Sequence, residues 1–214
     1  MRTLIAIPCM DMVHTIFFRS MLSLQKAGEC QFGLSCSSLV YDARNTLAKQ
    51  AVREGFDRIL WLDSDMDIPV DAMLRLSARM DEGYDFVSGI YFKRKAPVTP
   101  VIYEHVGYWH NDETNELTPA AQSYLNYEKD GFFEIEGAGF GLVMHSVKLI
   151  KDVAEKYGLP FSPIIGFGED LSFCLRAREL GYKLYCDASV KAGHVGMGVI
   201  TEDMFLGGRT NGTN

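Results

Sequence analysis

Residues 58–69 read RILWLDSDMDIP: a strand-like, largely apolar run passes directly into Asp63, Asp65 and Asp67 at alternate positions. An unbroken apolar run, rather than an alternating one, is the pattern of a strand covered on both faces. Carboxylates cannot follow it into that interior without compensation. The strand must therefore end where the three acids begin, at the rim of a sheet with helices on both sides. Three like charges at alternate positions also repel one another, and the simplest compensation is a cation.

The rest of the chain fits that demand. Apolar runs predict strands at 3–8, 31–36, 58–62 and 85–90, and helical spacing predicts helices at 13–26, 40–53 and 70–80. Gly28 and Gly55 stop the first two helices, and Pro69 suits the start of the third. This β-α-β-α-β-α-β order predicts a mostly parallel sheet flanked by helices, with ligands beyond the C-terminal ends of the strands. The second half is less regular. Residues 98–103 are extended, 108–126 form a polar arm (a loop or a hairpin), and 132–135 and 141–145 read as strands. Helices are expected at 147–157 and 169–180, and short strands at 183–187 and 190–194. At 214 residues the chain suits one catalytic domain over 1–200, with a nucleotide-binding half to about 95 and an acceptor-side half from 96. Residues 201–214 read as a flexible tail or the start of a linker.

The net charge of −7 argues against a nucleic-acid partner; Lys93-Arg94-Lys95 is the one basic run. The five cysteines form no C-x-x-C pair, which argues against a disulfide framework or thiolate zinc site. A reducing, cytoplasmic setting fits. No run reaches the length of a membrane span. The oligomeric state is not readable.

Three readings of the acidic triplet are open. An EF-hand loop counted from Asp63 needs Gly at its sixth position and Glu at its twelfth, where this chain has Ile68 and Leu74. A haloacid-dehalogenase-type phosphatase motif resembles strand-D-x-D-x-[T/V], but the fifth position here is Asp67 and the motif comes late in the chain. The third is a strand-end D-x-D that shares Mg²⁺ or Mn²⁺ with a nucleoside diphosphate, whose charge builds as it leaves. Asp67 reads as part of the turn before the following helix.

With WLDSDMDIP, the later FGEDLSFCLRARELGY and AGHVG in this order, the chain resembles a GT-A glycosyltransferase over roughly residues 3–196, of the compact family-2-like kind found among viral, phage and bacterial members. The resemblance implies a Rossmann-like α/β fold with a mixed, mostly parallel sheet. It implies transfer of a sugar from a nucleotide-sugar, UDP- or GDP-linked, to a hydroxyl acceptor on a glycan or other molecule. By the resemblance Asp65 ligates the metal, Asp63 contacts metal or ribose with Ser64 beside it, and His194 adds a metal ligand, an imidazole favouring Mn²⁺. Asp170 is the base that deprotonates the acceptor in inverting members, with Glu169 its neighbour; in a retaining enzyme Asp170 binds sugar. Acids in a first helical turn also serve simply as caps.

Pro8 and Cys9 resemble the family's nucleotide-side opening. Arg44 and Asn45, near a helix start, would reach base or phosphate, although Arg44 reads equally as an exposed helix charge and Asp42 as a cap. Gly137 and Gly139 in EGAGFG would border donor sugar and acceptor, or form a bulged hairpin. Tyr91, Lys93, Arg94 and Trp109 are candidates for sugar stacking or phosphate contact. A phosphotransferase would instead turn over simple phosphate esters, and a noncatalytic module would bind nucleotide-sugar without turnover.

Overall fold

The computed structural model describes residues 1–196 and 198–210, the last three by backbone alone. Strand and helix alternate first as β1 (Arg2–Cys9), α1 (Thr15–Ser23), β2 (Glu29–Cys36), α2 (Val40–Arg53), β3 (Arg58–Leu62), the short β4 (Met66–Asp67), α3 (Ala72–Asp81) and β5 (Phe86–Ile90). There follow β6 (Ile102–Asn111), β7 (Glu116–Ser123), β8 (Phe132–Ile135), β9 (Gly137–Ala138), β10 (Leu142–Ser146), α4 (Val147–Tyr157) and α5 (Glu169–Glu179). The chain closes with β11 (Leu184–Lys191), β12 (Gly193–Val195), β13 (Val199–Ile200) and α6 (Glu202–Thr210).

Seven strands form the central sheet in the order β2-β1-β3-β10-β5-β11-β8. β1 is parallel to β2 and β3, and β5 is parallel to β11. β10 lies antiparallel between β3 and β5, and β8 is antiparallel to β11. Five strands thus run one way and two the other, a mixed, mostly parallel α/β architecture.

β3 is buried at every residue, as its unbroken apolar run requires. Trp61 enters the core under α2, α4 and α5 with Phe86, Phe140, Phe161 and Phe173. Leu60 and Leu62 enter the opposite core under α1 and α3 with Ile5, Met73 and Leu76. Each such side chain contributes about 1.5–3 kcal/mol on burial. β3 is thereby fixed from both faces, and its C-terminal end is a rigid mount for Asp63 and Asp65.

Of the two alternatives for the polar arm the structure has the hairpin, β6 paired antiparallel with β7. One expectation changes. Residues 202–210, expected as flexible tail, form α6. Glu202 is buried and accepts from Lys191 Nζ at 2.5 Å and Tyr127 Oη at 2.8 Å, and Phe205 stacks on Phe92 with ring centroids 5.1 Å apart. The glycines at 207 and 208 hid an apolar face that has a core to dock on. Residues 211–214 lie outside the described residues. Among the described residues, no helix is long and apolar enough to cross a membrane.

Candidate functional site

A cavity of about 410 Å³ opens beyond the C-terminal ends of β1, β2 and β3. Its walls bring together nine of the residues expected at a site: Pro8, Cys9, Arg44, Asp63, Ser64, Asp65, Arg94, Glu169 and Asp170. Met10, Ser37, Ser38 and Val40 complete it. The two serines follow β2 directly, so their place at the rim is the usual ligand position in an open α/β sheet; sequence motifs alone had not marked them.

Two clusters divide the acidic residues. In the first, Arg44 is buried between two carboxylates. Its Nη2 donates to Asp63 Oδ1 at 2.8 Å, and its Nε donates to Glu169 Oε1 at 3.1 Å. The guanidinium also lies over the rings of Trp61 and Phe140, 5.5 and 5.4 Å from their centroids. Its Nη1 has no protein partner. Arg44 is therefore not an exposed helix charge. It joins the end of β3 to the start of α5, and it holds Asp63 through Oδ1. Burial raises the Asp63 pKa, with Arg44 opposing and Asp65 adding to the rise.

Asp170 neighbours this cluster in the first turn of α5, where Leu171 N donates to its Oδ1 at 2.7 Å. Burial first, then the charge of Glu169, lifts Asp170 to about 6. A carboxylate with that pKa is ionised at neutral pH yet basic enough to accept a proton.

The second cluster is built by β4 and β12. These short strands pair antiparallel with His194 opposite Met66 and Gly193 opposite Asp67, and Val195 N donates to Asp65 O at 2.8 Å. The pairing brings together residues 129 positions apart in the chain: His194 Nε2 lies 3.5 Å from Asp65 Oδ2. Gly193 is required here, because a Cβ would strike Val199 Cγ1 and press on Asp67 Cβ. His194 Nδ1 lies 2.9 Å from the carbonyl oxygen of Phe92. Only a protonated Nδ1 can make that bond, so a neutral imidazole turns its Nε2 lone pair toward the carboxylate. Two Lewis bases facing each other need a proton or a metal between them. Backbone-fixed tautomers of this kind are the usual second shell of a metal-ligating histidine.

Asp65 also accepts from Arg94 Nη1 at 2.5 Å. Burial works to raise the Asp65 pKa, but His194 and Arg94 outweigh it and the net shift is downward. Among the described residues no three His, Cys, Asp or Glu side chains converge as a ready-made metal site. Asp65 and His194 are instead two donors, a set that fits a Mg²⁺ or Mn²⁺ ion completed by phosphate oxygens and water. Asp67 stands apart, accepting from Ser20 Oγ at 3.1 Å and tying β4 to α1.

Several expected ligand contacts prove to be structural. Asn45 is buried, and its Oδ1 accepts from Phe161 N at 3.0 Å, pinning the loop after α4 instead of reaching a nucleotide. Tyr91 is buried and its hydroxyl accepts from Gly141 N at 3.2 Å, so its ring is not a sugar platform. Gly139 makes the slot for Tyr91: a Cβ there would collide with the Tyr91 hydroxyl. Gly137 packs under Val106 and Leu171, where a Cβ would lie 2.8 and 3.0 Å away. Trp109 is exposed on the β6–β7 hairpin and stacks on His105 at 6.2 Å, and Lys93 is exposed; neither lines the cavity. Gly139→Ala is expected to cost about 1–3 kcal/mol in urea unfolding, because overpacking displaces Tyr91 from Gly141. A change below half of that range would mean Tyr91 has room to move.

No family model matches the chain, and no curated protein matches it. Among solved structures the chain is similar to the crystal structure of A197 from STIV. The TM-score is 0.65 with 21% identity, over 92% of this chain and 86% of that one. At that identity the likeness carries the fold.

Proposed function

We propose that the chain is a metal-dependent glycosyltransferase of the GT-A type, which moves a sugar from a nucleoside-diphosphate donor, UDP- or GDP-linked, to a hydroxyl acceptor. The observation that carries this reading is the meeting of Asp65 and His194 at 3.5 Å, on the rim of a cavity that Asp170 also lines. A divalent ion held there would neutralise the diphosphate as it leaves. Asp65 and His194 would hold the ion, and the backbone of Phe92 keeps the His194 lone pair free for it. Pro8, Cys9, Ser37 and Ser38 form the wall on the nucleotide side. Arg94, on an exposed loop at the same rim, supplies a positive charge next to Asp65. Arg44 fixes Asp63 and Glu169, so the floor of the cavity does not move as charge develops. Asp170 takes the acceptor proton.

The assay is release of nucleoside diphosphate from a panel of nucleotide-sugars with Mn²⁺. Turnover is expected to rise with pH through about 6 as Asp170 ionises. Asp170→Asn is expected to lower turnover by about 10²–10⁴-fold, the range for general-base loss. Its effect on stability has the opposite sign. The folded pKa lies above the unfolded value of about 3.9, so the native state binds the proton more tightly and loses stability as pH rises from 4 through 6. The Asn variant should therefore be more stable at pH 7 by about 1–2 kcal/mol, allowing for partial solvent screening, and unchanged near pH 4. Hydrolysis of simple phosphate esters without sugar transfer would replace this reading with a phosphotransferase. Metal-dependent nucleotide binding without turnover, indifferent to Asp170→Asn, would replace it with a binding module.

A further inference from the structure

Cys9 ends β1 and Cys36 ends β2, and the parallel register places the two residues directly opposite each other. Their sulfurs are 3.3 Å apart. Adjacent strands lie about 4.8 Å apart, inside the Cα separation of roughly 4.4–6.8 Å that a disulfide spans. Closing to a bond of about 2.05 Å thus needs side-chain rotation and no rearrangement of the strands. The two thiols differ in access: Cys36 is exposed, and Cys9 is buried in the wall of the cavity. Ser37 N donates to Cys9 O at 3.0 Å, so the chain leaving β2 is already tied to the end of β1.

We propose that Cys9 and Cys36 form a reversible disulfide that staples the rim of the cavity. The oxidant is a low-molecular-weight disulfide. The Cys36 thiolate attacks one of its sulfurs, forming a mixed disulfide and releasing one small thiolate. Cys9 gives its proton to solvent and attacks Cys36 Sγ, forming the protein disulfide and releasing the second small thiolate. Two protein thiols are oxidised and one disulfide is reduced to two thiols.

The order of steps follows from the environment. Burial first, and then Cys36, push the Cys9 thiol up to about 11, so it waits as a thiol while Cys36 reacts. Once Cys36 is a mixed disulfide it no longer carries a charge that opposes ionisation of Cys9. Of the other three cysteines, Cys174 and Cys186 are buried in the main core, and Cys30 donates toward Ala27 O at 3.3 Å at the opposite end of β2 from this rim. The bond would fix Ser37 and Ser38 against β1 and so change the cavity from its wall, without touching Asp65, His194 or Asp170.

The test equilibrates the full chain with oxidised and reduced glutathione, traps it with a maleimide under denaturing conditions and maps the linked peptides. The expected result is a fall from five alkylated thiols to three, one peptide joining positions 9 and 36, full reversal by reduced thiol, slower amide exchange at 37–39 and a melting temperature several degrees higher. Cys9→Ser should stop at a glutathione adduct on position 36, and Cys36→Ser should keep four thiols. A pair that stays reduced while glutathione accumulates on Cys36 of the unaltered chain, or a bond through Cys30, would overturn the proposal. A 9–36 bond with unchanged exchange at 37–39 would overturn the staple. None of these readouts depends on sugar transfer.

Discussion

Asp65→Ala is expected to remove nearly all turnover, by about 10³-fold or more, while leaving the fold intact. Metal stabilisation of a leaving diphosphate contributes several kcal/mol to the transition state, and each 1.36 kcal/mol is tenfold in rate. In the proposed reading Asp65 and His194 are the two donors, facing each other across 3.5 Å, and Arg94 would give up its hold on Asp65 Oδ2 to the ion. Losing one of two donors leaves an imidazole alone, so raising Mn²⁺ should restore part of the activity. Stability should change by less than about 1 kcal/mol, because the Asp65–Arg94 pair is open to solvent on the arginine side, 49% exposed, and such pairs are screened. Urea unfolding read beside the diphosphate-release assay separates the two effects. Activity within tenfold of the parent would place the metal, or the chemistry, elsewhere.

Arg44→Met should have the converse profile, a large loss of stability. Two carboxylates, Asp63 and Glu169, face a guanidinium whose side chain is only 2% exposed. Removing one partner of a buried pair costs about 3–5 kcal/mol because the remaining charge is left uncompensated. An exposed helix arginine would cost within about 0.5 kcal/mol, so unfolding at pH 7.5 discriminates sharply. The deficit has a pH signature. Without Arg44 the folded pKa of Asp63 moves further above its unfolded value, and stability then falls as pH rises through it. The gap between Arg44→Met and the parent should therefore narrow toward pH 4. Arg44→Lys should recover only part of the loss, since a point charge cannot reach both acids as the planar fork does.

Strand and helix positions in the first half were legible because burial on two faces and helical periodicity are local signals. α2 and β3 fall on the expected residues, 40–53 and 58–62. The direction of β10 was not legible: an apolar run does not say which way it enters a sheet, and its antiparallel place between β3 and β5 is a topological fact. The acidic motifs were readable as positions, and the structure brings Asp63, Asp65, Glu169 and Asp170 to one cavity. The partners of those acids were not. Arg44 and Asn45 follow Ala43 on α2, and all three are buried; the start of α5 covers Arg44 through Glu169, and the loop at Phe161 covers Asn45. Periodicity assigns one face of a helix to the core and cannot show a second cover. Tyr91 read as a free aromatic for the same reason: the glycines that make its slot are some fifty residues away.

The pairing of Asp65 with His194 as the two protein donors to one cation can be measured directly by pulsed electron paramagnetic resonance on Mn²⁺ added with a nucleoside diphosphate. Bound Mn²⁺ should show coupling to a histidine nitrogen and to phosphorus together, with the nitrogen coupling lost in His194→Ala and binding itself weakened in Asp65→Ala. Phosphorus coupling without nitrogen in the parent protein, or no bound Mn²⁺ at all, would contradict the account.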